Sequence, residues 1–294
     1  MICLHRGDIL HVPDPKNPSV TRSFEDGALA VDDTGAIVSV RPFETLREVY
    51  PEVEVVDHRP GLIIPGLIDA HVHYPQYLMA GAHGETLLDW LNTYTFPEEQ
   101  RFADADYAAD VATDFVRQLL RQGTTSAFIF GVRFEQATAT LIDALSEVGM
   151  PARTGMVWMD RNGPDALCLP AEEAAAASER LANRCTGGPV NYALLPRFAP
   201  SCSPEQLAAA GDLLAAHPKW ALQTHLAESE DECNWVRRLF PKSADYTAVY
   251  ESAGCFGPRA SFAHGIHLND GERQRLVFFH SNTTEPSAMK KLVN

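Results

Sequence analysis

The chain has 294 residues, of which 45% are hydrophobic and 21% are charged, so it can build a sizeable apolar core and is not of disordered composition. Its formal net charge of −15 at pH 7 repels phosphate backbones and anionic lipid, which argues against nucleic acid or a membrane as its partner. No segment approaches the roughly 18 apolar residues that a membrane helix needs, and the N-terminal residues do not resemble a signal peptide, so we expect a cytoplasmic protein.

The six cysteines are scattered along the chain and form no Cys-x-x-Cys pair. In a cytoplasmic chain of this size we expect them to be reduced and packed. Zinc sites made of closely spaced thiolates are therefore disfavoured.

Residues 1–60 show short strand-like segments and no helical period. The segments Ile9–Val12, Gly27–Val31 and Ala36–Val40 are separated by turn-forming residues, and Asp32–Gly35 is typical of a hairpin. This part of the chain predicts a small N-terminal β domain of the sandwich type.

From residue 61 the pattern changes to apolar strands that alternate with helices. Asp104–Gln122 has an apolar face of helical period, and Ser203 and Ser229 each begin a capping pattern. Such alternation predicts a parallel sheet covered on both faces, and six units in series favour a (β/α) barrel over residues 61–276. The predicted strands are Leu62–Ile68, Thr124–Phe130, Ala152–Met159, Val190–Leu195, Trp220–Thr224 and Ala260–Ala263.

Four histidines follow predicted strands, at the end of the barrel where such folds place their active sites. Any one of them alone is explained by a packed or surface imidazole. Together they predict a metal site, because residues two apart in extended chain face the same side and three strand ends share one rim. These residues are His71, His73, His225 and His264.

Glu228 lies three residues after His225, just before the helix that Ser229 caps. A carboxylate at this rim can take a proton from a metal-activated water and return it to a leaving amine. The alternative is an acidic residue that complements the helix dipole. Beside His225, the proton-shuttle interpretation is favoured.

Several segments resemble the guanine deaminases of the metal-dependent amidohydrolase superfamily. Pro65–His73 resembles the first-strand motif of the superfamily. Four further segments, Tyr74–Tyr77, Leu87–Glu98, Pro196–Cys202 and Thr224–Ser229, resemble guanine deaminases in particular. The similarity extends from the N-terminal β domain to about Leu276.

The resemblance implies an incomplete (β/α)8 TIM-type barrel and hydrolytic deamination of guanine to xanthine and ammonia, in a family whose full-length members are homodimers. It also implies roles for eight side chains. One Zn²⁺ per chain would be held by His71, His73, His225 and His264; Glu228 would be the catalytic proton shuttle; and Gln76, Arg197 and Phe198 would contact the purine. Without the resemblance, a surface ion pair for Arg197 and a core position for Phe198 explain these two residues equally well.

The family pattern continues through two more strand–helix units and a metal-binding Asp, whereas residues 277–294 form a tail without family resemblance. We therefore expect low activity from the chain as written. The alternatives are an amidohydrolase that acts on another amino-heterocycle and an inactive fragment that acts only by binding or assembly.

Overall fold

The computed structural model describes residues 1–14 and 17–281, with side chains as far as Leu276. The described residues divide into two compact units, 1–66 and 67–281. Of the predicted tail, residues 282–294 lie outside the described part. None of the described helices has the length and apolar character needed to cross a bilayer.

The first unit contains a four-stranded sheet in the order β3-β2-β1-β4, in which β1 runs antiparallel to β2 and parallel to β4. Its small core is formed by Leu4, Ala28 and Ala30 from the sheet and by Phe43 and Leu46 from a helix. The elements are β1 (Ile2–His11), β2 (Arg22–Asp32), β3 (Ile37–Pro42), α1 (Phe43–Val49) and β4 (Glu54–Ile63).

The predicted hairpin is confirmed, since the Asp32 carboxylate accepts the backbone N–H groups of Thr34 and Ala36 and closes the turn between β2 and β3. The expectation of no helix in residues 1–60 is wrong. Helix α1 has seven residues and buries only two side chains, so its period is too short to stand out in the sequence.

The second unit is an open barrel of parallel strands, in the order β11-β10-β9-β7-β6-β5, with β8 paired to β9. Among the described residues, β5 and β11 do not pair with each other. This confirms the predicted incomplete (β/α)8 barrel. Its strands are β5 (Leu67–His73), β6 (Thr124–Phe130), β7 (Ala152–Gly155), β8 (Val157–Trp158), β9 (Val190–Pro196), β10 (Ala221–Leu226) and β11 (Ala260–His264).

The first barrel strand begins later than predicted. We expected it at Leu62–Ile68, but Leu62 and Ile63 end β4 of the first unit, and β5 begins at Leu67. Pro65 has no backbone N–H, and no strand pairing continues through it and Gly66. His71 and His73 are therefore inside β5, and His225 and His264 are likewise inside their strands.

Helices cover the outer face of the barrel and bury their apolar sides against it. The predicted helix starts are confirmed, because Asp104 and Ser203 cap their helices and Ser229 forms a capping box with Glu232. The helices are α2 (Leu87–Trp90), α3 (Phe96–Arg101), α4 (Ala105–Arg121), α5 (Glu135–Glu147), α6 (Ala171–Arg184), α7 (Pro204–Ala216), α8 (Glu230–Leu239), α9 (Tyr246–Ser252) and α10 (Asp270–Ser281).

The strands approach one another too closely at one point for a side chain. A Cβ atom added to Gly155 would lie 1.9 Å from the backbone oxygen of Ala193 on β9.

The six cysteines are free thiols, and four of them are buried, as the sequence predicts.

Candidate active site

A cavity of about 220 Å³ opens at the carboxyl ends of the barrel strands. All eight side chains singled out from the sequence line it. The strands therefore bring together residues that are far apart in sequence. Besides those eight, the lining includes Leu87, Trp90 and Leu91 from the segment that follows β5.

The imidazole of His71 is held in one tautomer by Gln223 on β10. The side-chain Nε2 of Gln223 donates to the backbone oxygen of Ala70 at 2.9 Å, so its Oε1 faces Nδ1 of His71 at 3.1 Å and accepts the hydrogen bond. The proton therefore lies on Nδ1 of His71, and its Nε2 lone pair is free.

The imidazole of His225 is fixed in the same way by the backbone. Its Nδ1 lies 2.6 Å from the carbonyl oxygen of Arg197, which can only accept a hydrogen bond. Nε2 of His225 is therefore also unprotonated. The ring of Phe130, fully buried, lies 4.7 Å from both His73 and His225 between ring centroids and packs beside them.

The nitrogen atoms of this cluster have the spacing of metal ligands. Nε2 of His73 lies 3.2 Å from Nε2 of His71 and 2.9 Å from Nε2 of His225. A tetrahedral ion with metal–nitrogen bonds of about 2.0–2.1 Å places its ligands roughly 3.3 Å apart. The ligand nitrogens of His71, His225 and His264 also lie within 4.8 Å of one another. Unprotonated imidazole nitrogens this close together are stabilised by a cation, so the donor set fits a metal ion.

The histidines are electrically neutral donors. Burial lowers the pKa of His71 and His264 below the usual value, and it lowers the pKa of His73 and His225 much further. Neighbouring imidazoles add to the effect at His73 and His225. Neutral imidazole is the form that binds a metal ion, so the site needs no proton loss to accept one near neutral pH.

The turns after β10 and β11 bring Glu228 and His264 together. Ala227 and His264 have positive φ angles of 52° and 71°, an unusual backbone conformation for residues other than glycine. A carboxylate oxygen of Glu228 lies 3.3 Å from Nε2 of His264, and both side chains are partly buried. Burial raises the pKa of Glu228, while the charge of Arg197 opposes the rise. Glu228 is therefore suited to hold or release a proton beside the histidine cluster.

Arg197 forms a buried ion pair, not the surface pair considered from the sequence. Its side chain and that of Glu99 are each 3% exposed, and Nη1 lies 2.9 and 2.8 Å from the two carboxylate oxygens. The guanidinium also lies 5.2 Å from the ring centroid of Phe96. Because Arg197 lines the cavity, the ion pair positions a donor group at the cavity wall.

Phe198 lines the cavity and also packs against buried apolar side chains. It belongs to a buried cluster with Leu91 and Met159, and its ring packs edge-on against Trp235. Gln76, in the short helical turn Tyr74–Met79, also lines the cavity. The cavity therefore combines polar donors with apolar walls, the usual composition of a small-molecule site.

Sequence reasoning missed two side chains that organise the site. Gln223 precedes His225 by two residues and so faces the same side of β10, a signal that the sequence contains. Glu99 lies 98 residues from its partner Arg197, and no local pattern connects the two.

The fold and the histidine cluster are those of a (β/α) barrel with a candidate metal site at the carboxyl ends of its strands. Residues 62–287 match the model of the amidohydrolase family. The chain therefore belongs to the amidohydrolase family.

Guanine deaminases are among its similar proteins. The chain is 42% identical to the guanine deaminase of Escherichia coli (strain K12), over 88% of this chain and 59% of that protein. A solved structure of the E. coli enzyme matches with a TM-score of 0.88 and 38% identity, over 95% of this chain and 65% of that chain. A solved structure of guanine deaminase from C. acetobutylicum with guanine bound in its active site matches with a TM-score of 0.87 and 31% identity. The match covers 95% of this chain and 66% of that chain. The chain thus spans 59% of the length of the curated relative.

Proposed function

We propose that this chain provides the active-site cavity of a zinc-dependent enzyme that hydrolyses guanine to xanthine and ammonia. One observation carries the proposal: the four histidines, Glu228 and three candidate purine contacts line a single cavity. The similarity to guanine deaminases supports guanine as the substrate.

In this proposal the metal is held by the four histidines, with Gln223 and the carbonyl of Arg197 fixing two of the rings. Imidazole ligands suit zinc. When bound, the ion supplies the Lewis acidity that lowers the pKa of water towards neutrality.

The remaining steps belong to the side chains of the cavity. Arg197 donates a hydrogen bond to the ring carbonyl oxygen of guanine, Gln76 pairs with a polar edge, and Phe198 provides an apolar face. Glu228 takes a proton from the attacking water and returns it to the amino group. That group leaves as ammonia, the second proton of the water moves to the adjacent ring nitrogen of the purine, and the water oxygen becomes the new carbonyl oxygen of xanthine.

Metal analysis and ammonia release test this proposal together. We expect about one divalent ion per chain, and release of ammonia and xanthine from guanine after zinc loading. His225→Ala should lose both the metal and the activity. His217→Ala is the matched control, because that imidazole stacks on Trp220 outside the cavity. A chain that holds no stoichiometric metal, or a loaded chain that releases no ammonia, would contradict the proposal.

The role in purine catabolism and assembly as a homodimer are proposed on the same similarity. Sedimentation analysis of the purified chain tests the second of these, with a species of twice the 32.3 kDa chain mass expected. A monomer at all concentrations would contradict it.

A further inference from the structure

The ion pair between Arg197 and Glu99 has a consequence for substrate choice. A single nitrogen, Nη1, contacts both oxygens of the carboxylate. Among the described residues, Nε and Nη2 of Arg197 form no hydrogen bond, and Arg197 lines the cavity. The guanidinium is thus anchored at one end, and its other donors are left for a ligand.

The carboxylate also cancels the charge of the guanidinium. Both side chains are almost completely buried, so water screens neither of them. A ligand that approaches Arg197 therefore meets directed N–H donors on a guanidinium whose charge is already paired.

We propose that Glu99 determines the specificity of the cavity, by holding and neutralising Arg197 so that the wall selects a neutral oxo-purine over an anionic one. This inference rests on the proposed function, since it assigns the purine class to the same cavity. Specificity is a difference between two affinities, and an unpaired charge is one of the means that change it. Without the carboxylate, the buried cation would favour an anion in its place.

Glu99 lies in a segment of the chain that also forms part of the cavity wall. Helix α3 supplies both Phe96 and Glu99 to Arg197, and Leu87, Trp90 and Leu91 of the preceding turns form the adjacent cavity wall. The position of the purine and the charge of its donor therefore depend on one continuous stretch of chain. Glu99 does not itself line the cavity, so it is a positioning residue.

The test compares guanine with urate, a purine that is anionic at neutral pH. Calorimetry on the purified, metal-loaded chain gives the dissociation constant of each ligand, and the ratio between variants cancels the difference in ligand shape. We expect Glu99→Gln to shift the guanine-to-urate affinity ratio towards urate by about tenfold or more, equivalent to about 1.4 kcal/mol. Glu99→Asp keeps the charge but shortens the side chain, so it should shift the ratio in the same direction by about threefold.

Glu98→Gln is the matched control. Glu98 lies on the same turn of α3 but pairs with Arg101 and Tyr107, away from Arg197. The guanine-to-urate affinity ratio of Glu98→Gln should equal that of the wild type. An unchanged ratio in Glu99→Gln, or an equal loss of affinity for both ligands, would overturn the inference. If Glu99→Gln fails to fold by circular dichroism, Glu99→Asp decides, and an unchanged ratio there would overturn it.

The outcomes separate this inference from the proposed function. A wild-type chain that binds guanine over urate but releases no ammonia would contradict the activity and leave the specificity argument intact. If the chain deaminates guanine but the Glu99 variants keep the guanine-to-urate affinity ratio of the wild type, the activity is supported and the specificity inference is overturned. Binding of neither purine by the wild type overturns the inference, whatever the ammonia assay gives.

Discussion

Replacing Gln223 by Met should weaken metal binding without removing a ligand. Met has a similar length but cannot accept the hydrogen bond from Nδ1 of His71 or donate to the carbonyl of Ala70, at distances of 3.1 and 2.9 Å in the structure. Gln223 is 1% exposed, so water cannot replace these bonds easily. Loss of a partner that orients a metal-bound histidine typically costs 10- to 100-fold in metal affinity, or about 1.4–2.7 kcal/mol. The unpaired polar groups should also lower the free energy of unfolding by about 1–3 kcal/mol.

Competition against a zinc chelator of known affinity measures the first effect, and urea unfolding of the metal-free protein measures the second. Gln206→Met is the matched control. Gln206 is fully buried and donates to the backbone oxygen of Leu169 at 2.8 Å, but it contacts no histidine. The Gln206→Met protein should have a lower free energy of unfolding than the wild type but the same metal affinity. A Gln223→Met protein that binds zinc within about threefold of the wild type would refute the orienting role.

Two further predictions concern acid stability and thiol reactivity. The folded pKa of His225 is well below normal because of burial, whereas the unfolded chain takes up this proton near pH 6.5. Acid therefore favours unfolding. Between pH 6.5 and 5 the free energy of unfolding of the metal-free wild type should fall more steeply than that of His225→Asn, and the difference in slope should approach about 1.4 kcal/mol per pH unit towards pH 5. Equal slopes in urea unfolding would contradict this, since the other titrating groups are common to both proteins. Burial raises the pKa of Cys202 and Cys255 to about 12. In the native protein at pH 8 these two thiols should resist a maleimide reagent that labels half-buried Cys3, and should react after denaturation. Peptide mapping that finds all three labelled equally fast would show that the two thiols are not protected.

The barrel and its histidines were predictable because both depend on local pattern. Apolar strands alternate with amphipathic helices, and the sequence bounds of β6 agree with the structure. The histidines were located by their position at strand ends, and a small shift in the strand limits did not move them off the rim. The first strand was misplaced because Leu62–Ile63 and Leu67–Ile68 are one apolar run in sequence, and only Pro65-Gly66 separates the two elements.

The partners of the site residues were harder to predict, because they are set by tertiary contact. Arg197 in isolation fits a surface ion pair, and its buried pairing with Glu99 of α3 appears only in the folded structure. The tautomer of His225 depends on a backbone carbonyl, which every residue has, so no residue type signals it. Gln223 is the intermediate case, since its spacing from His225 places it on the correct face but does not show that it reaches His71 across the barrel.

Arg197 connects the two halves of the candidate site through different atoms. Its carbonyl oxygen orients the ring of His225, while its guanidinium faces the cavity and pairs with Glu99. Changes to the side chain therefore act on the ligand wall and on the buried charge, whereas the backbone contact to the histidine cluster remains. Glu228 lies close enough to sense the same guanidinium, which opposes the rise in its pKa. Since Glu99 cancels part of that charge, the carboxylate on α3 influences both the ligand that the cavity accepts and the proton affinity of the group that would serve the reaction.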